Sequence, residues 1–106
     1  MDFQLNEEQK MLKKLVHDIA EKEFRPKVAE WEATAEHMPR EYFKKLADWG
    51  LLGLPIPVEY EGQGRTAFEA ILAIEGLARV ALFCAMPVFE SSVGPVRVIE
   101  QFGTED

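Results

Sequence analysis

Cysteine is almost missing from this sequence. Cys84 is the one thiol in 106 residues, which excludes an intramolecular disulfide and any cysteine-rich zinc site. It lies in an apolar run, where a thiol has a raised pKa and reads as a buried structural group rather than a nucleophile. Histidine is scarce as well. His17 and His37 stand 20 positions apart, so no H-x-x-x-H or H-E-x-x-H spacing exists, both read as ordinary histidines, and no metal site is expected. Long apolar runs are absent: Val80 to Phe89, the longest, has 10 residues and contains Pro87, whereas a bilayer demands about 20. Met1 to Glu8 has neither the basic start nor the apolar stretch of a signal peptide. Positive charge is also lacking. Twelve Lys and Arg face 19 Asp and Glu, a net −7 with no basic cluster to offset it. Nucleic acid and anionic membranes are therefore not expected partners. Together these absences predict a soluble, intracellular chain, cytoplasmic and without membrane insertion.

What is present is ordinary for a globular protein, with 47% hydrophobic and 29% charged residues. The length suits one domain over residues 1–106 with one modest core, since a chain of this size buries only about two-thirds of its unfolded surface. Charge is uneven along it. Residues 1–50 carry 9 basic and 11 acidic side chains, whereas residues 66–99 carry only Glu69, Glu75, Arg79, Glu90 and Arg97. The first half reads as helices with one apolar stripe, the second as helices wanted on several sides by apolar neighbours.

The local signals predict an all-α fold of five or six helices. Asn6 caps a first helix, with Glu7 and Glu8 at the positive end of its dipole and Gln9 at the capping-box position. Leu12, Leu15, Val16 and Ile19 form its inner stripe, and it should end or bend at Arg25, before Pro26. A second piece runs from Lys27 to Glu36, with Val28, Trp31 and Ala35 on one face. The third starts at Pro39, turns Phe43, Leu46 and Ala47 inward, and ends in a Schellman arrangement of Gly50 and Leu51. Pro55 and Pro57 make Leu51 to Val58 an extended connector. Glu59 to Gly64 is a loop whose glycines permit positive φ. Thr66 and Glu69 form a capping box for a helix containing Phe68, Ile71, Leu72, Ile74, Leu77 and Ala78. A further helix, Leu82 to Glu90, is kinked or restarted at Pro87. Ser91 to Gly94 is a turn, and Pro95 to Gly103 brackets a short last helix. Thr104, Glu105 and Asp106 make a helix start with no helix after it, so the chain is expected to be a piece of something longer.

No residue set here assembles an active site. Glu75 is the best candidate for a perturbed carboxylate, but Arg79, four positions on, suits a half-buried ion pair. Gly62-x-Gly64 lacks the lysine of a P-loop and the third glycine of a dinucleotide fingerprint. Phe83, Met86 and Phe89 make a stripe suited to core. With Ala85 the same segment could instead shape a slot for an alkyl chain.

The order of motifs resembles the N-terminal helical domain of the acyl-CoA dehydrogenases over nearly the whole chain. The matching stretches include Leu5-x-Glu7-Glu8-Gln9, Ala20-Glu21-Lys22-Glu23-Phe24-x-Pro26, Pro39-Arg40-Glu41 and Leu46-Ala47-Asp48-Trp49-Gly50-Leu51-Leu52-Gly53. They continue with Pro55-Ile56-Pro57-x-Glu59-Tyr60-x-Gly62-x-Gly64, Ile74-Glu75-x-Leu77-Ala78-Arg79-Val80, Ser92-Val93-Gly94 and Phe102-Gly103-Thr104-Glu105. Glu61 stands where the family usually has glycine, Gly76 where a second acidic residue is frequent, and Arg97 where proline is common.

The resemblance implies an FAD-dependent enzyme of three domains that removes a proton from Cα and a hydride from Cβ of an acyl-CoA thioester. The catalytic carboxylate and most flavin contacts would lie in a middle β-domain and a C-terminal helical bundle, both beyond this chain. On that view the 106 residues alone are inactive and bind no FAD. Their partners are the remaining domains, and they form one wall of the acyl cavity. The positions matching that wall are Ala85, Met86, Phe89 and Glu90, the last needing a partner for its charge. Two alternatives are a stand-alone helical module that binds acyl chains and a subunit that docks on a separate flavin-carrying chain. Because Ile71, Phe83, Met86, Val88 and Phe89 cannot all be covered in a five-helix core, the isolated chain is also expected to self-associate.

Overall fold

A computed structural model describes residues 3–34 and 38–106. Helix α1, Glu7–Ile19, opens on the expected capping box: Asn6 Oδ1 accepts from the Gln9 backbone N–H at 2.8 Å and Gln9 Oε1 from that of Asn6 at 3.1 Å. Leu12, Val16 and Ile19 are buried, while Leu15 lies on the exposed side of the stripe. The chain does not end or restart at Pro26. It passes through one π-helical turn, Ala20–Phe24, directly into α2, Arg25–Thr34. The Arg25 N–H reaches back five residues to the Ala20 carbonyl. Within an α-helix Pro26 would collide with the carbonyl four residues earlier. Here it falls in the first turn of α2, just after the widened turn. The extra residue rotates the succeeding helix by about 100°, and Phe24 is fully buried. Ala35, Glu36 and His37, expected to close this helix and follow it, lie outside the described residues.

Phe24 meets Trp31 of α2 edge-on at 6.4 Å between ring centroids, and both meet Tyr42, at 5.7 and 4.8 Å. Tyr42 belongs to α3, Arg40–Asp48. This cluster corrects the expected face of that helix. Tyr42 and Leu46 point inward, whereas Phe43 and Ala47 are exposed. Pro39 caps α3 rather than starting it. The C-terminus is the Schellman arrangement foreseen: Gly50 takes φ +74°, and the Leu51 N–H donates to the Leu46 carbonyl at 3.0 Å.

Leu51 to Val58 is non-helical but not extended. It coils through turns, then a short 3₁₀ turn at Val58–Tyr60, and the following loop closes on it. Gln63, Gly64 and Arg65 donate to the carbonyls of Gly53, Ile56 and Leu54 at 3.1, 2.9 and 2.7 Å. Leu51 and Leu54 are fully buried, and their backbone needs hydrogen-bond partners that an isolated extended segment does not have. Gly62 is required by contact, not by φ, because a Cβ there would stand 2.1 Å from the Ile56 carbonyl oxygen. Glu61 is the residue at φ +65°, which explains why glycine would suit its position.

Helix α4, Ala67–Ala78, opens on the Thr66–Glu69 capping box, and Arg65 pairs with the same glutamate at 3.6 Å. Its buried side is Ala70, Ala73 and Leu77, and Gly76 lies against Val16 of α1. Phe68 and Ile71 are exposed. The expected Glu75–Arg79 ion pair does not form: both side chains face solvent, where such a pair gains little.

Helix α5, Leu82–Ser92, runs unbroken through Pro87 and buries Cys84, Ala85 and Val88. Losing one rung at Pro87 does not divide it. Ser91 and Ser92 belong to this helix, so the turn shrinks to Val93 and Gly94. Their hydroxyls accept from the Gly53 and Leu54 N–H groups at 3.1 and 3.3 Å, fastening the connector to α5. Helix α6, Pro95–Phe102, begins on Pro95 and stops at Gly103, as read from the sequence. No strand occurs among the described residues. Leu82–Phe102 is, by length and composition, apolar enough to cross a membrane. The Val93–Gly94 turn divides it into helices of 11 and 8 residues, each well short of the ~30 Å hydrocarbon core at ~1.5 Å per residue.

Candidate functional site: the outer face of α5

Ala85, Met86, Phe89 and Glu90 all lie on α5, but the structure divides them. Ala85 is buried against the core. Met86 is half-buried; Phe89 and Glu90 are exposed. Leu82, which sequence reasoning passed over, is 68% exposed and stands four residues before Met86 and seven before Phe89. These three therefore make one apolar outer stripe. Gly94 lets the Phe89 ring lie close, since a Cβ there would come within 2.8 Å of Phe89 Cε1. Glu90 remains in solvent, so its charge needs no buried partner.

The inner side of α5 is core. Phe83 is half-buried with its ring 6.1 Å from that of Trp31, and Val88 is fully buried. Both leave the group expected to lack cover. The exposed group is Leu82 and Phe89 on α5, with half-buried Met86 between them, and Phe68 and Ile71 on α4. Burial pushes the Cys84 thiol up to about 11, so at neutral pH it is a packed apolar group and not a nucleophile. Among the described residues no three His, Cys, Asp or Glu side chains gather as metal ligands.

Two concavities lie elsewhere. One of about 270 Å³ sits between the connector and α6, lined by Ile56, Pro57, Val96 and Ile99. Across it the Tyr60 hydroxyl donates to Glu105 at 2.7 Å, which raises the phenol pKa. The other, about 430 Å³, is a groove between α1 and α4. Neither is lined by the four expected residues. Nothing in the sequence reading singled out the second groove, although Lys10, Lys13, Lys14 and His17 share i, i+3, i+4, i+7 spacing that puts them on one face of α1.

The architecture is shared with known proteins. A family model described as "Acyl-CoA dehydrogenase, N-terminal domain" matches residues 6–106. The chain is 33% identical over its full length to the short-chain specific acyl-CoA dehydrogenase of Clostridium acetobutylicum, of which it spans 28%. It is 39% identical to the NADH-dependent acryloyl-CoA reductase of Anaerotignum propionicum, of which it spans 26%. A solved structure described as "Electron transferring flavoprotein of Acidaminococcus fermentans: Towards a mechanism of flavin-based electron bifurcation" superposes over 99% of this chain and 27% of its own. Its TM-score is 0.86 and its identity 34%. A helical order shared at that level, under a family model that reaches from the Asn6 cap to Asp106, places the chain in the acyl-CoA dehydrogenase N-terminal domain family.

Proposed function

We propose that this chain is the acyl-pocket-forming N-terminal part of a soluble, cytoplasmic, FAD-dependent acyl-CoA dehydrogenase. The observation that carries the reading is the outer stripe of α5. Leu82, Met86 and Phe89 present apolar surface on a helix whose opposite side is already packed. Each large apolar side chain left in water forgoes about 1.5–3 kcal/mol relative to burial. A cavity wall completed by further domains accounts for that exposure, and the chain spans only about a quarter of the length of its relatives. Met86 and Phe89 front the acyl chain in this reading, Glu90 marks the solvent edge, and Ala85 supports the wall from behind.

In this reading the flavin and the catalytic base belong to the remaining domains, and the Gly62–Gly64 loop, which closes on Ile56, serves the connector. Dehydrogenation of the acyl-CoA thioester belongs to that larger assembly, and the isolated chain is inactive. Alone, its outer stripe seeks cover by self-association.

A chimera carrying residues 1–106 in place of the matching segment of the Clostridium acetobutylicum enzyme tests the proposal. Flavin content and butyryl-CoA oxidation are expected to be retained, and Met86→Trp to raise the KM for the thioester without loss of flavin. A folded, flavin-loaded chimera that does not turn over, or one indifferent to Met86→Trp, overturns it.

A further inference from the structure

The groove between α1 and α4 concentrates positive charge in a chain whose net charge is −7. Lys10, Lys13, Lys14, His17 and Arg79 border it, and Leu5, Leu72 and Gly76 supply apolar surface within it. The charges within reach do not cancel. Glu21, on the same lining, is bonded to Arg25, whose Nε and Nη2 donate to it at 2.6 and 2.9 Å and hold its carboxyl below the usual range, with weaker attraction from His17 and Arg79. Lys10 pairs with Glu7 at 3.4 Å. Among the described residues Lys13, Lys14 and Arg79 form no ion pair. Set against Glu75, the remaining acid of the lining, they leave 3 − 1 = +2.

The groove's form fits a small molecule better than a long chain. Its volume, about 430 Å³, falls within the ~300–1,000 Å³ of small-molecule sites. It is built on two rigid helices packed where Gly76 admits Val16 closely. A single carboxylate would leave half of the surplus charge unmatched. A phosphomonoester dianion matches it, and the Arg79 guanidinium offers the forked donor geometry that phosphate oxygens accept. The leucines suit an apolar body attached to that phosphate. We infer that this groove is a binding site for a small soluble organic phosphate, separate from the outer stripe of α5 and independent of the function proposed for it.

Phenyl phosphate, a dianion with an apolar ring, is the probe. Titrated into the ¹⁵N-labelled 106-residue chain at low salt, it is expected to give saturable amide shifts centred on residues 10–17 of α1 and residues 72–79 at the end of α4 and its C-cap. Inorganic phosphate should bind several-fold more weakly. Arg79→Gln and Lys14→Gln should each weaken phenyl phosphate about tenfold, as expected for loss of a charge-assisted hydrogen bond. Lys44→Gln, which removes a lysine paired with Asp48 at 3.2 Å on α3, should leave it unchanged. Non-saturating shifts spread over the surface, or equal effects of all three variants, would overturn the inference. So would binding only to phosphatidic acid vesicles with loss in the same variants, which would assign the groove to a membrane surface.

Discussion

The two halves of the molecule use apolar residues differently. In α1 through α3 each helix has one buried side, and the aromatic cluster of Phe24, Trp31 and Tyr42 closes it. Lysines and acids dominate the rest, beside a few exposed apolar side chains such as Met11 and Phe43, with pairs such as Lys45–Glu23 at 3.2 Å at the rim. In α4 and α5 the inner faces include many small residues, among them Ala70, Ala73, Cys84 and Ala85, beside Leu77 and Val88. Large side chains such as Ile71, Leu82 and Phe89 stand outside. Small inner residues let helices approach closely, while large outer ones have nothing to bury against. Apolar composition alone therefore misidentifies the core of the second half. There, large apolar side chains are exposed beside small buried ones.

Equal truncations separate the halves most sharply. Phe24→Ala should cost about 3–5 kcal/mol in urea unfolding, the usual range for emptying a packed aromatic site. Phe89→Ala should cost under about 1 kcal/mol, because that side chain is already partly in water. Leu82→Ser with Phe89→Ser should in addition shift sedimentation toward monomer and abolish exposed-hydrophobe dye binding. A Phe89→Ala loss as large as that of Phe24→Ala would erase the distinction.

The inner face of α5 gives the next test. The folded pKa of Cys84, about 11, lies above its ordinary value of 9.0. The stabilisation is thus complete below pH 9 and is lost as pH rises through about 11. The loss should amount to about 2 kcal/mol. Cys84→Ala should show a flatter alkaline stability profile than the parent, whatever its stability at neutral pH. Parallel profiles would mean the thiol is wetter than its packing indicates.

Smaller effects test how the connector joins the halves. Ser92→Ala removes the acceptor for the buried Leu54 N–H and should cost about 1–2 kcal/mol, with faster amide exchange at Leu54 as its signature. Glu61→Gly should stabilise by about 0.5–1 kcal/mol. It relieves the left-handed residue at φ +65°, and part of that gain is offset by the greater freedom of glycine in the unfolded chain. A destabilised Glu61→Gly would mean that the glutamate side chain contributes an interaction worth more than the strain.

The family match covers residues 6–106. Of the four residues expected at an acyl wall, Met86 is half-buried and Phe89 and Glu90 are exposed, whereas Ala85 is buried, because helical spacing puts Ala85 and Val88 on the side that α4 covers. Leu82 escapes a sequence reading because it marks the start of a helix and only the fold makes it part of a face. The α1 groove escapes because a count of charges along the chain averages its lysines with the acids of other faces.

Sequence by itself determined several of the helix ends. Asn6 with Gln9, Thr66 with Glu69, Gly50 with Leu51, and Pro95 act on backbone groups within a few residues, so their effect needs nothing distant. Tertiary structure decided which faces turn inward and how the breaks are bridged. Tyr42 replaces Phe43 in the core because Phe24 and Trp31 leave a place of its shape. The proline at position 26 is carried by a π-helical turn because that turn also swings Phe24 inward. The connector coils because buried Leu51 and Leu54 need backbone partners, which the following loop, Ser91 and Ser92 provide. These outcomes depend on the shape and hydrogen-bonding capacity of surfaces far apart in the chain, which no local spacing encodes.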